Sequence, residues 1–271
     1  MELLADLAAW SLLVLSLLLF VAQLLAYAGG HWAGSRHRGN HPTRAEGVSL
    51  IVGGLLGLLS FVLALTLSYG SARFNERRNG ALNEANAIAT AWQRSEALAH
   101  PRGREIARLI ESYAQARKTY VQSPRHAPVL DEIGRRTSAL HSEIWGRISA
   151  VAQERADPVV ASLMAAVNEM FDQSAIERFS YESPFPPQLF WLLIAMALIT
   201  MAALGYQLGL KQQETHFLAV VMTVVWTAVI AVILDISSPR IGSIRTDASI
   251  YDWTLEGFKR EGGAPSDSAR R

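Results

Sequence analysis

The sequence predicts an all-α integral membrane protein, with four transmembrane helices and a helical-bundle soluble domain between helices two and three. Three observations predict it. Leu7–Gly30, Gly47–Ala72, Leu189–Leu210 and Phe217–Leu234 contain no Asp, Glu, Lys or Arg, and roughly 20 apolar residues span a bilayer core as a helix. Between the second and third runs lies a charged block whose apolar residues recur at helical spacing, with no alternating strand pattern. Composition agrees, since 50% of the 271 residues are hydrophobic and only 18% are charged.

The first run follows Glu2 and Asp6. Ala26-Tyr27-Ala28 offers a leader-cleavage pattern, but the acidic start and the length of the run favour a retained helix. His31–Glu46, with Pro42, two glycines, three histidines and Arg36, Arg38 and Arg44, predicts a short polar loop. No proline occurs between Pro42 and Pro101. The second helix is therefore expected to leave the bilayer near Arg73 and continue to about Trp92, a rod of roughly 70 Å from Gly47.

In the middle block, Ile106, Leu109, Ile110 and Tyr113 mark one apolar stripe, and Leu130, Ile133, Leu140, Ile144, Ile148 and Val151 another. Ser123–Pro128 reads as the loop between them. Asp157-Pro158 is an N-cap followed by a first-turn proline, and it opens a helix carrying Leu163, Val167, Met170 and Phe171. Pro184-Phe185-Pro186-Pro187 ends the block. Lys211–His216 is short enough to force helices three and four into an antiparallel hairpin. Beyond Asp235 come Ser237, Ser238, Pro239, several arginines and an aromatic group, Tyr251, Trp253 and Phe258, and Gly262–Arg271 reads as disordered. The expected domains are a first helix pair (1–72), a soluble helical domain (73–186), a second helix hairpin (187–236) and a C-terminal tail, partly disordered (237–271).

Four crossings put the N-terminus, the block and the tail on one side of a cell membrane. Basic residues flank both sides, with Arg36, Arg38, Arg44 and Lys211 in the connectors and Arg73, Arg77, Arg78, Arg240 and Arg245 opposite. The positive-inside rule therefore selects neither orientation.

Composition and motifs exclude several classes of chemistry. There is no cysteine, hence no disulfide, thiolate metal site or Cys nucleophile. A net charge of +1 gives no basic surface for nucleic acid. The chain lacks HExxH, GxSxG, a Walker A loop and a strand-borne GxGxxG, so neither an enzyme nor a cofactor is expected. His31, His37 and His41 have no carboxylate or Cys companions at metal-site spacing, so no metal is expected either.

The second helix carries the residues of interest. Gly53-Gly54-Leu55-Leu56-Gly57 contains a GxxxG spacing, which lets another helix approach closely at Gly53 and Gly57. Arg73, Arg77 and Arg78 at the helix exit have two readings. They snorkel at the headgroups and stop transfer, or they concentrate anions at a pore mouth. Glu84 and Asn86 sit on an alanine-rich helix where polar side chains satisfy neighbours, and Asp235 with Arg240 is a pair at the end of the fourth helix.

Leu59-Ser60-Phe61-Val62-Leu63, with Arg73-Phe74 twelve residues after Phe61, resembles the second transmembrane helix of bestrophins. The stretch Arg73–Trp92, with Asn83-Glu84-Ala85-Asn86-Ala87-Ile88, resembles the bestrophin-like domain family of bacterial membrane proteins. The likeness is concentrated over Gly57–Trp92, echoes at Pro239–Arg245, and matches the order of two membrane helices, a helical block and two more membrane helices. It implies a homo-oligomeric ring in the bilayer that passes chloride or other small anions, with three apolar side chains four residues apart forming a narrow neck. Those neck positions fall on Gly57, Phe61 and Leu65. The first is glycine and the third is not aromatic, and glycine alone cannot build a dewetted constriction.

Two functions compete on this reading. The first is an oligomeric anion channel of bestrophin-like type built around the second helix. The second is a non-conducting, membrane-anchored sensor or scaffold whose helical domain binds a partner.

Overall fold

The computed structural model describes residues 11–37, 42–123, 129–182, 186–212, 215–238, 244 and 246–262. Several sequence expectations lie outside these residues. They are the acidic start, Arg38 and His41, the loop 124–128, Pro184 and Phe185, Arg240 and Arg245, and the tail beyond Gly262. Almost all described residues are helical, and none forms a strand. The helices are α1 (Ser11–Arg36), α2 (Pro42–Glu96), α3 (Gly103–Gln122), α4 (Val129–Glu154), α5 (Pro158–Glu182), α6 (Pro187–Lys211), α7 (His216–Ser237) and α8 (Ser249–Gly262). Among the described residues, four stretches are long and apolar enough to cross a membrane: α1, α2, the stretch that ends with α6, and α7.

The connector differs from expectation. Of His31–Glu46, His31–Arg36 belong to α1 and Pro42–Glu46 to α2. Basic Arg36 closes the last turn of α1, where the helix dipole favours a cation, and its guanidinium lies 4.0 Å over the Trp32 ring. Pro42 opens α2 in the first turn, where its missing N–H costs nothing. As the absence of proline predicts, α2 then runs without a break to Glu96.

The chain divides into two compact units, Met1–Phe74 with Pro184–Ile244, and Asn75–Ser183 with Arg245–Arg271. In the membrane unit, Leu19, Leu59, Leu63, Leu193, Ala197, Met201, Trp226, Ile230 and Ile233 pack into one core. Leu13, Leu17, Leu25, Phe217 and Leu218 point outward and are exposed, as lipid-facing side chains must be, because acyl chains are as apolar as leucine.

Glycine holds α1 against α6. A Cβ at Gly30 would overlap the carbonyl of Ala202, and one at Gly34 that of Tyr206. Reciprocally, Gly205 meets the carbonyl of Tyr27 and Gly209 that of His31. Two facing GxxxG pairs therefore bring the backbones together, and α1 and α6 run parallel, as four crossings with an intervening block require. Buried Gln23 completes the packing of α1 on α7, its amide Nε2 donating to Thr227 Oγ1 at 3.0 Å. Gln212, at φ 54°, takes the left-handed cap of α6, and its N–H returns to the Leu208 carbonyl. That tight stop permits the short turn into α7.

The soluble unit is a helical bundle whose core gathers Ile88, Trp92, Ile106, Ile110, Tyr113, Ile144, Ile148, Leu163, Val167 and Met170. Asp157 caps α5 as the sequence predicts, with Oδ1 accepting the N–H groups of Val159 and Val160 at 3.0 Å each. The segment expected as a tail contributes more than a tail. Its helix α8 carries Tyr251 and Phe258 one heptad apart into this core, and Phe258 stacks on Trp92 with ring centroids 4.6 Å apart.

Two substitutions separate glycines that packing requires from those it does not. Gly205→Leu should cost about 3 kcal/mol through overpacking against Tyr27. Gly134→Ala, where a Cβ meets nothing within 4 Å, should stabilise by up to about 1 kcal/mol. Denaturant unfolding of the detergent-solubilised protein measures both.

Candidate functional site

Helix α2 has two faces with opposite partners. Val52, Leu59, Leu63, Thr66 and Gly70 are buried. Thr66 Oγ1 satisfies itself on the Val62 carbonyl at 2.7 Å. At Gly70 a Cβ would come 2.8 Å from Ser237 Oγ and 3.0 Å from Ile236 Cγ2, so this apparent helix breaker is a contact with α7. The other face is open. Gly53, Gly54 and Gly57 are exposed, and a Cβ at any of them meets nothing within 4 Å. Phe61 is 60% exposed and Leu65 55%, with Ser60, Ala64 and Ser68 exposed among them. The spacing at Gly53 and Gly57 is thus not used within the chain, whereas the pairs on α1 and α6 are.

The three arginines do not form one cluster. Arg78 is exposed and Arg73 half-buried, while Arg77 is only 2% exposed. Arg77 belongs to the buried register that continues through Ala81, Glu84, Ile88 and Ala91. At 100° per residue this register lies about half a turn from Gly57 and Phe61. Of the three, Arg78 is the most open to solvent and Arg73 partly so.

Below Arg77 the soluble unit encloses a set of ionised and phenolic groups. Arg117 on α3 is buried and forms a forked pair with Glu84, its Nε donating to Oε1 and its Nη2 to Oε2 at 3.1 Å. Tyr251 of α8 donates its hydroxyl to the same Oε2 at 2.7 Å. Burial works against the Arg117 charge, but the adjoining Glu84 carboxylate outweighs it and raises the guanidinium pKa. Burial pushes the Tyr113 phenol up to about 12, and it holds Tyr251 well above the usual phenol range with the Glu84 charge adding to it. Glu177 on α5 is also fully buried, and a Cβ at Gly80 would overlap its Oε2. Gly80 therefore makes room for a carboxylate. At the rim of this unit Lys118 pairs with Asp252 at 2.5 Å.

Other sequence candidates separate. Asn86 is exposed, while Glu84, about two turns past Arg77 and Arg78, is the anchor of the ion pair. Asp235 Oδ1 accepts the Ile244 N–H at 3.1 Å and so fastens the chain after α7. His31 meets a residue far off in sequence, with its ring 5.0 Å from that of His216, whose Nδ1 lies 2.7 Å from the Tyr27 hydroxyl. His37 stays by Tyr206, with ring centroids 6.0 Å apart. Among the described residues, no three His, Asp or Glu side chains assemble as a metal site. Arg117 and Glu177 were not singled out from sequence, and Tyr251 only as one of an aromatic group. A signal for the first existed, because Arg117 continues the apolar register of Ile106, Ile110 and Tyr113.

A four-helix membrane unit, a helical soluble unit and one uninterrupted helix shared by both define a class of α-helical membrane protein. The chain belongs to the family with the Bestrophin-like domain, whose model matches residues 9–251. No curated protein matches it by sequence. Solved structures do. A bacterial bestrophin homologue from Klebsiella pneumoniae, in a tryptophan-to-alanine variant, aligns with a TM-score of 0.70 at 14% identity, covering 94% of this chain and 99% of that one. A tyrosine-to-alanine variant gives 0.66 at 16% identity, with 92% and 98% covered. At these identities the likeness is one of fold.

Removing either partner of the buried pair should be costly. Arg117→Met leaves Glu84 charged and unpaired and should lose about 4 kcal/mol, whereas Tyr251→Phe should lose about 2 kcal/mol. Urea unfolding followed by helicity measures both. Tyr113 and Tyr251 ionise less readily folded than unfolded, so their contribution to stability is full below pH 10 and lost as pH climbs towards and beyond 12. An alkaline titration should show some of the tyrosinate absorbance rising only together with loss of helicity.

Proposed function

We propose that the protein is a homo-oligomeric anion channel of the cell membrane, crossing it four times and assembled as a ring with α2 towards the axis. The observation that carries this reading is the open face of α2. Gly53, Gly54, Gly57, Phe61 and Leu65 form a continuous unpartnered stripe on a membrane helix, while the glycine pairs of α1 and α6 are consumed inside the protomer. Glycines on an open face fit close approach by a second helix, and a cyclic arrangement of identical copies closes such a surface on itself.

Within the ring, Phe61 and Leu65 supply the apolar constriction, and Gly57 widens the passage on one side of it. A hydrophobic constriction controls conduction through dewetting, so its width sets the flux. Arg78, with half-buried Arg73, is the charge left to draw anions to the mouth, because Arg77 is buried. Membership of the bestrophin-like family and the fold of the bacterial bestrophin homologues support the same reading.

Light scattering of the purified protein in detergent should give a defined multiple of the protomer mass, and proteoliposomes should pass chloride. Phe61→Ala should raise chloride flux several-fold, roughly, by widening the constriction, while Gly57→Leu should impair assembly more than Leu56→Gly. A monomer, or a ring with no flux, would replace this reading with that of an anchored sensor or scaffold.

A further inference from the structure

The soluble half of α2 presents an exposed row of carboxamides. Asn75, Asn79, Asn83 and Asn86 are all exposed and follow one another at intervals of four, four and three residues, which keeps them on one helix face. Counted at 100° per residue, that face continues the register of Gly57, Phe61 and Ser68. Leu82 lies at its edge and is partly exposed.

Stability does not account for these asparagines. Asparagine is among the weaker helix formers, because its side chain competes for backbone hydrogen bonds and favours caps and turns. An exposed helix face in a soluble domain is ordinarily filled with Glu, Lys, Arg or Gln. Here the charges of the same segment lie elsewhere. Arg77 and Glu84 are buried on the opposite face, and Glu76 and Arg78 flank the row on its two sides.

A carboxamide has two N–H donors and a carbonyl acceptor, with no net charge. A ring of such groups can exchange hydrogen bonds with a passing anion without holding it, and conduction needs binding that is favourable enough to enter and weak enough to leave. A ring of arginines would concentrate anions but retain them more strongly. We propose that Asn75, Asn79, Asn83 and Asn86 line the soluble part of the conduction path and contact small inorganic anions through their amide N–H groups. This assignment rests on the channel reading above.

Flux and selectivity test it in proteoliposomes, with sodium chloride gradients. Asn79→Asp and Asn83→Asp exchange the amide for an isosteric carboxylate and put a negative ring on the path. The chloride-to-sodium permeability ratio should fall roughly five-fold or more. Gln115→Asp, the same exchange on an exposed position of α3, should leave the ratio unchanged. The natural chain has no cysteine, so Asn79→Cys and Asn83→Cys give a second reading after folding is complete. A negatively charged, water-soluble thiol reagent should lower chloride flux in both, and a positively charged one should not.

Wild-type selectivity in both carboxylate variants, together with thiol modification that leaves chloride flux unaltered, would overturn the assignment while the channel reading stands. Should the aspartate variants fail to assemble, the cysteine pair alone decides in the same way. A wild-type protein without chloride flux would end the channel reading, and this assignment with it.

Discussion

An unbroken helix carries its register along its length, and α2 is unbroken from Pro42 to Glu96. Its buried positions recur through Leu59, Leu63, Thr66, Gly70, Arg77, Ala81, Glu84, Ile88 and Ser95. Whatever is buried on one side dictates what is left open about half a turn away. The open positions therefore form one line as well, from Gly57 and Phe61 through Ser68 to the asparagines. The chemistry along both lines changes with surroundings. Leucine gives way to an arginine and a carboxylate on the buried side, and glycine and phenylalanine give way to carboxamides on the open side. Proline anywhere between Pro42 and Pro101 would end this correspondence, and none occurs.

Glycine does three different kinds of work here. At Gly30, Gly34, Gly205 and Gly209 it removes a side chain so that two backbones can touch within one protomer. At Gly70 and Gly80 it makes room for particular atoms, the Ser237 hydroxyl and the Glu177 carboxylate. At Gly53, Gly54 and Gly57 it faces open space. Sequence spacing alone cannot separate the three, because GxxxG reports only that two small residues share a face. Direct contact of backbones on α1 and α6 explains why that pair holds together in a bilayer, where no hydrophobic effect drives helices towards each other.

The architecture was legible in the sequence because membrane crossing and helical periodicity are strong, local signals. Four uncharged runs, the stripe at Ile106–Tyr113, the Asp157 cap and the uninterrupted second helix all follow from residues close together in the chain. What was not legible depends on pairings distant in sequence. Tyr251 reaches Glu84, separated by 167 positions, and Gln23 reaches Thr227, separated by 204. No local pattern announces such partners. The arginines at the exit of α2 show the same limit. Their proximity in sequence reads as one basic patch, whereas helical geometry buries Arg77 and leaves Arg78 in solvent. In α8, Tyr251 and Phe258 looked like a scattered aromatic group because the core they complete is built by other helices.

The burial of charge bears directly on the open face. Glu84, Arg117 and Glu177 are enclosed, and Arg117 is forked to Glu84. A buried pair is weak evidence for stability, because desolvation offsets much of the attraction. It does fix geometry, since each partner left alone in the interior would be costly. Glu84 is held by α3 through Arg117 and by α8 through Tyr251, so the soluble half of α2 is anchored from its inner side by groups that tolerate little displacement. An anchored inner face keeps the outer one in a fixed orientation. On the channel reading, that is what a conduction path requires, because weak contacts with passing ions can discriminate only where the lining groups are positioned by something stronger than the ions themselves.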